Sequence, residues 1–313
     1  MRHTVWSFAF LAALGVALGG CGRAKSGKPV FAGVPKMLNN PVFELAHRGA
    51  QKAAAELGVE LLWNAPIEGD ALAQVGIVKN FTAQKVDGLF LSVNNAEMLR
   101  GAIDDAVTAG IPVVCFDSDA PQSKRLTCYG VDDAAAGARA AELMVEKMGK
   151  RGEVAVLHGT QGAPNLELRI RGFTDRMRQI APEAIVLPPV FCNDNIQKAV
   201  DVVKAQITGN PGLTGFYMSG GWPLFATAPG PFAGTAPGKL AVVAFDGLAE
   251  ELEYVRQGLV HALTAQKCYE WGYESVKLLM EHRNGRRDFP GHTDSGFDVI
   301  TKENVEAYAA RTK

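Results

Sequence analysis

Carboxylates, amides and cations recur in this sequence at points where short apolar runs stop. Lys36, Asn39 and Asn40 follow the first run; Asn94 and Asn95, then Asp117, Ser118 and Asp119, follow later ones. Asn165, Asn193 to Asn195, Asp246 and Gln266 repeat the theme, making seven such places. An aspartate accepts hydrogen bonds from two adjacent hydroxyls, an amide both donates and accepts, and an arginine or lysine donates back. Aromatic faces at Phe43, Phe116 and Trp222 suit the apolar C–H side of a sugar ring. Together these are the groups that a polyhydroxylated ligand needs. Taken singly, each is equally a helix cap or a turn residue.

The elements that would position them alternate. Val30–Val34 reads as a buried strand, and Asn40 then sits where a helix cap belongs, with Pro41 at the first helical position, where its missing N–H costs nothing. Val42, Phe43, Leu45, Ala46, Ala50, Ala53, Ala54 and Leu57 follow as an apolar stripe at helical spacing. Strands are expected at 59–63, 88–93, 111–117 and 126–131, and helices at 71–83, 96–109 and 134–148. The pattern restarts with strands at 153–158, 184–191, 215–219, 240–245, 260–264 and 297–300. Helices are expected at 165–180, 196–208, 249–257, 269–282 and 303–310. Such alternation predicts an α/β fold with doubly wound parallel sheets, whose ligands bind at the carboxyl ends of strands. The Pro- and Gly-rich stretch 226–239 after Trp222 reads as a long irregular loop.

Composition narrows the function. A chain of 313 residues, 47% hydrophobic and 21% charged, suits a globular protein of two lobes. Thirty-two basic residues against 33 acidic, with no basic tract, argue against nucleic acid as a partner. No strand runs into the G-x-G-x-x-G of a dinucleotide site, and no G-x-S-x-G marks a hydrolase. The six histidines are scattered without metal spacing, so neither metal nor cofactor is expected.

Residues 1–21 differ from the rest. Arg2 and His3 precede an apolar run from Val5 to Leu18, then Leu18-Gly19-Gly20-Cys21. This reads as a signal peptide, and the cysteine after Leu-Gly-Gly resembles a bacterial lipobox. That resemblance implies lipidation of Cys21 and an exported periplasmic or cell-surface lipoprotein anchored to a bacterial membrane; a plain secretory signal or an uncleaved anchor remains open. Residues 22–28 read as a tether. Cys115, Cys128, Cys192 and Cys268 lack zinc or C-x-x-C spacing. Cys115 and Cys128 are the pair to test for a disulfide, with buried free thiols the equal alternative.

Several segments together resemble the type I periplasmic sugar-binding proteins, the ribose-binding group of ABC-transporter receptors. They are Asn39-Asn40-Pro41-Val42-Phe43 with 49–54, Val86-Asp87-Gly88, Gly110-Ile111-Pro112-Val113 through Asp117, and Arg169-Ile170-Arg171-Gly172-Phe173. Val243-Ala244-Phe245-Asp246-Gly247 and Gly258-Leu259-Val260 through Gln266 complete the set. The resemblance implies two lobes joined by a multi-strand hinge, 29–132 plus 267–296 and 133–266 plus 297–313, with crossings near 132, 266 and 296. It implies ligand contacts from Asn40, Phe43 and Asp117 in one lobe and from Arg169, Asp246 and Gln266 in the other lobe and hinge. Lys36, Asn39, Ser118, Asn165, Asn193 and Trp222 join them as candidates. It further implies a monomer that closes on a small carbohydrate or polyol, docks on an ABC permease and catalyses nothing. Two positions depart from the ribose pattern: Lys36 replaces a small hydroxyl residue, and Gly220 an amide. Val34-Pro35-Lys36 and Asp117-Ser118-Asp119 are similar instead to the autoinducer-2 receptor branch, where the lysine and first aspartate touch the ligand.

Overall fold

A computed structural model describes residues 27–311. The expected signal peptide, Cys21 and most of the 22–28 tether lie outside those residues. The first half runs β1 (Val30–Val34), α1 (Pro41–Leu57), β2 (Glu60–Trp63), α2 (Ala71–Ala83), β3 (Gly88–Leu91), α3 (Ala96–Thr108), β4 (Val113–Phe116) and β5 (Thr127–Gly130). The second runs α4 (Asp133–Met148), β6 (Arg151–His158), α5 (Pro164–Ile180), β7 (Glu183–Val186), β8 (Val190–Phe191), α6 (Ile196–Gly209), β9 (Leu213–Met218), β10 (Ala241–Phe245), α7 (Ala249–Arg256) and β11 (Ala262–Gln266). The chain then returns through α8 (Cys268–Arg283) and β12 (His292–Asp294) and ends on β13 (Phe297–Thr301) and α9 (Val305–Arg311).

These strands form two sheets, ordered β12-β5-β4-β3-β1-β2 and β13-β11-β10-β9-β6-β7, with β8 beside β6. All pairings are parallel except β11 with β13. Each sheet therefore carries the same doubly wound order, and each has its switch point beside its first strand, between β1 and β3 and between β6 and β9. The chain passes from one sheet to the other three times: after β5, after β11 and between β12 and β13.

Helices cover both faces of each sheet. In the first lobe α1 and α8 bury Phe43, Ala50, Trp271 and Leu279 on one face, and α2 and α3 bury Val78 and Ile103 on the other. Both lobes pack one helix pair through glycines. A Cβ added at Gly49 would lie 1.9 Å from the Tyr269 carbonyl oxygen, and one at Gly272 1.8 Å from that of Ala46. Gly137 and Gly172 do the same for α4 and α5, at 2.1 Å from the Arg169 and Ala134 carbonyls. Only the missing side chain lets these backbones approach so closely.

One expected strand needs correcting, one strand was not foreseen, and the open alternative for Cys115 and Cys128 is decided. The single strand expected at 184–191 is split into β7 and β8, because Pro188 and Pro189 lack the N–H groups that would continue the ladder. β12, three residues long, was not anticipated. Cys115 and Cys128 face each other across β4 and β5 as free thiols, and all four described cysteines are free and buried. Burial pushes their thiols up, which makes them inert. The segment between β9 and β10 stands where a helix would join them; a short 3-10 turn at Trp222–Phe225 leads into the 226–239 loop, which carries a second at Gly230–Phe232.

Candidate functional site

The carboxyl ends of both sheets face each other across a cleft, and the site is assembled there. Lys36 leaves β1 and is 4% exposed. Its Nζ donates to Asn165 Oδ1, 2.7 Å away on the other lobe, and lies 3.7 Å from Asp117 Oδ2. Its backbone carbonyl accepts from Asn94 Nδ2 at 2.8 Å, which fixes the loop after the strand. Asn165, in the first turn of α5, donates in turn from Nδ2 to Asp117 Oδ1 at 2.9 Å, and Ser92 Oγ donates to Asp117 Oδ2 at 2.6 Å.

Arg169, one turn along α5, organises the second lobe. Its Nε donates to Asp133 at 2.7 Å, Nη1 to the Ser219 carbonyl at 3.0 Å and Nη2 to Gln266 Oε1 at 2.6 Å, and its plane lies 4.2 Å over the Phe245 ring. Gln266 Nε2 continues the chain to Asp246 Oδ1 at 2.6 Å. Although burial opposes the charge, Asp133, Asp117 and Asp246 raise the affinity of Arg169 for its proton. The carboxylates respond to the same burial. Asp133 is pushed up to about 7 by desolvation, against the pull of Arg169. Burial likewise raises Asp246 and Asp194.

Asp117 and Asp246 occupy equivalent places, each directly after the phenylalanine that ends its strand, β4 in one lobe and β10 in the other. Both have positive φ, 56° and 74°. A non-glycine residue held in that region costs energy, and such strain persists where surrounding bonds over-determine it. Here the left-handed turn places each carboxylate in the cleft. Asp194, also at φ 56°, is held by the Thr160 N–H at 3.0 Å and the Thr160 hydroxyl at 3.1 Å. Apolar walls come from Phe43, which packs on Phe116 and Trp271 at ring separations of 6.4 and 6.3 Å, and from Trp222, whose indole fits against Gly159 and Gly220.

Of the twelve residues expected from sequence, the cleft brings together Lys36, Asn40, Phe43, Asp117, Asn165, Arg169, Trp222, Asp246 and Gln266. Asn40 serves at once as the α1 cap, accepting from the Val42 N–H at 3.2 Å. Three are placed elsewhere. Ser118 is buried, but its hydroxyl does not line the cleft; its carbonyl is tied to the Val93 N–H at 3.1 Å. Asn39 and Asn193 are exposed, and Asp194 is the residue of its loop that turns inward. Sequence reasoning also missed Asp133, which reads as an ordinary first-turn acid, and Trp271, which reads as one more apolar residue of α8. So closely do the side chains meet that only about 30 Å³ is left between them, room for a water or two. A larger cavity of about 510 Å³, beside Lys85 and Arg283, lies at the opposite end of the first sheet, away from these groups.

The profile of the periplasmic binding protein domain matches residues 31–287. The D-allose-binding periplasmic protein of Escherichia coli (strain K12) is 25% identical over 269 residues, which cover 83% of this chain and 86% of that one. A ribose import binding protein of Bacillus subtilis (strain 168) is 26% identical over 232 residues, 74% of this chain and 73% of its own. Among solved structures, an ABC transporter solute binding protein from Burkholderia graminis C4D1M in complex with D-arabinose superposes with a TM-score of 0.84 at 30% identity, covering 90% of this chain and 98% of that one.

Proposed function

Since this chain belongs to the periplasmic binding protein family, we propose that it is the solute-binding component of a sugar ABC transporter and captures a monosaccharide or polyol without transforming it. The observation that carries this reading is the buried chain Asp133–Arg169–Gln266–Asp246, facing Lys36 and Asp117 across the cleft. It offers carboxylates and amides as paired acceptors and donors for hydroxyls, between the Phe43 and Trp222 rings.

The lobes 29–132 plus 267–296 and 133–266 plus 297–313 are the moving parts. With about 30 Å³ free, a sugar enters only if Lys36 and Asn165 separate, so capture requires opening and reclosure. This is hinge motion, for which periplasmic binding proteins are the standard example. A ligand favours the closed state through contacts that only that state makes. Delivery to a permease and tethering through a lipid on Cys21 belong to the same proposal. A second reading, an autoinducer-2 receptor, is favoured by Lys36, which with Gly220 is one of two cleft-wall positions that depart from the ribose pattern.

The test is a thermal-shift screen of residues 29–313 with D-allose, D-arabinose, D-ribose, xylitol and autoinducer-2. A ligand at ~100 times its Kd stabilises the fold by about 2.7 kcal/mol. The expected result is a shift with a sugar or polyol that is lost in Asp117→Ala and Asp246→Ala, each costing about 1–3 kcal/mol of binding through unpaired buried partners. A shift with autoinducer-2 alone would transfer the protein to signal uptake. Near-native affinity in both variants would sink the site.

A further inference from the structure

The cleft does not end at the groups described above. Beyond Asp194 lies a second interlobe cavity of about 380 Å³, lined by Met37, Asn39 and Glu68 from the first lobe and by Asn193, Asp194 and Gln197 from the second. Asp194, 7% exposed, lines both spaces. The loop after β1 serves both as well: Lys36 and Asn40 line the inner space, Met37 and Asn39 the outer. Asn39 and Asn193, which the sequence put forward and the inner cleft excludes, thus face this one outer space from opposite lobes.

From this geometry we infer an outer hydroxyl-binding subsite, so that the preferred ligand is an extended one: a sugar carrying a second polyol or glycosyl unit. The inference rests on the sugar-binding reading above. The volume is in the range of small-molecule sites. Among the described residues, the side chains of Asn39, Glu68 and Asn193 make no hydrogen bond within the protein, so their donors and acceptors are available to hydroxyls, while Met37 supplies an apolar floor. Asp194 keeps both oxygens turned to Thr160, and consecutive left-handed residues, Asn193 and Asp194 at φ 55° and 56°, send one side chain outward and the next inward. A unit in the inner cleft and a unit in the outer one would share Asp194 as the acceptor at their junction.

The experiment is isothermal titration of the mature protein with D-allose, D-arabinose, D-ribose and xylitol, each beside a glycosyl derivative. The expected result is that at least one derivative binds about tenfold more tightly than its parent, the worth of one or two added hydrogen bonds. The double variant Glu68→Ala/Gln197→Ala, at exposed positions, should remove most of that gain and leave the parent's Kd within about twofold. Parents that bind with equal or higher affinity than every derivative would overturn the outer subsite and leave the sugar-binding reading standing. A gain that survives in the double variant would overturn it too. Absence of binding by both parents and derivatives would overturn both readings.

Discussion

Arg169 is the residue on which the second lobe's polar chain depends. Its guanidinium is 2% exposed and answers Asp133, Gln266 and, at 3.7 Å, Asp117. Removing one partner of a buried charged network leaves the others uncompensated. Arg169→Ala should therefore lower unfolding stability by about 3–5 kcal/mol in urea, besides abolishing ligand binding; a loss under 1 kcal/mol would mean the network relaxes into water. Asp133 makes a pH prediction. Its native pKa of about 7 lies above the ordinary carboxylate value. Between about 4 and about 7 the folded protein thus holds more protons than the unfolded chain. Asp133 then contributes stability that is full below that window and is lost as pH rises through about 7. Asp133→Asn removes the titration, so wild-type stability should fall relative to the variant from pH 4 to 7 and run parallel above. Parallel curves throughout would show that Asp133 stays ionised.

At the scale of elements, glycines separate two kinds of helix. Gly272 lets α8 meet α1, and a Cβ there would strike the Ala46 carbonyl, which cannot move without its helix. Gly272→Ala should cost about 1–3 kcal/mol by overpacking. Gly101, inside α3, has open space where its Cβ would go and no positive φ. Gly101→Ala should stabilise by about 0.5–1 kcal/mol, through helix propensity alone. Thermal melts of the two variants read opposite signs, and equal signs would contradict the packing described. The same glycine contact recurs between α4 and α5, so each lobe uses one close helix pair to support the sheet whose ends carry the site.

For the whole molecule, the hydrogen bonds of Asn165 to Lys36 and Asp117 are direct ties between lobes. Asn165→Ala deletes both, while three chain crossings still join the lobes. The ligand-free variant should then occupy a more open ensemble, with a larger radius of gyration by small-angle scattering, and a bound sugar should restore the compact value. An unchanged radius in the variant would place the closing force elsewhere.

The repeat of strand and helix, the parallel class of both sheets and the polar residues at strand ends were legible in the sequence because each depends on local pattern: apolar runs, caps and the Pro41 start of α1. Of the nine residues that the cleft brings together, Lys36, Asn40, Asp117, Asn165, Asp246 and Gln266 follow from that, since residues just past a parallel strand lie near the cleft, whereas Arg169, a turn inside α5, came only from the family resemblance. Which neighbour turns inward was decided by tertiary structure. Asp194 enters the cleft and Asn193 does not because of backbone φ in a turn that pairs with Thr160, 34 residues away. Asp133 and Trp271 join the site because the chain crosses between sheets and brings α4 and α8 beside strands far away in sequence. Ser118 turns away because its carbonyl is claimed by Val93. Local chemistry determined what kinds of group would be available; the meeting of two lobes, a non-local packing event, decided which of them face each other.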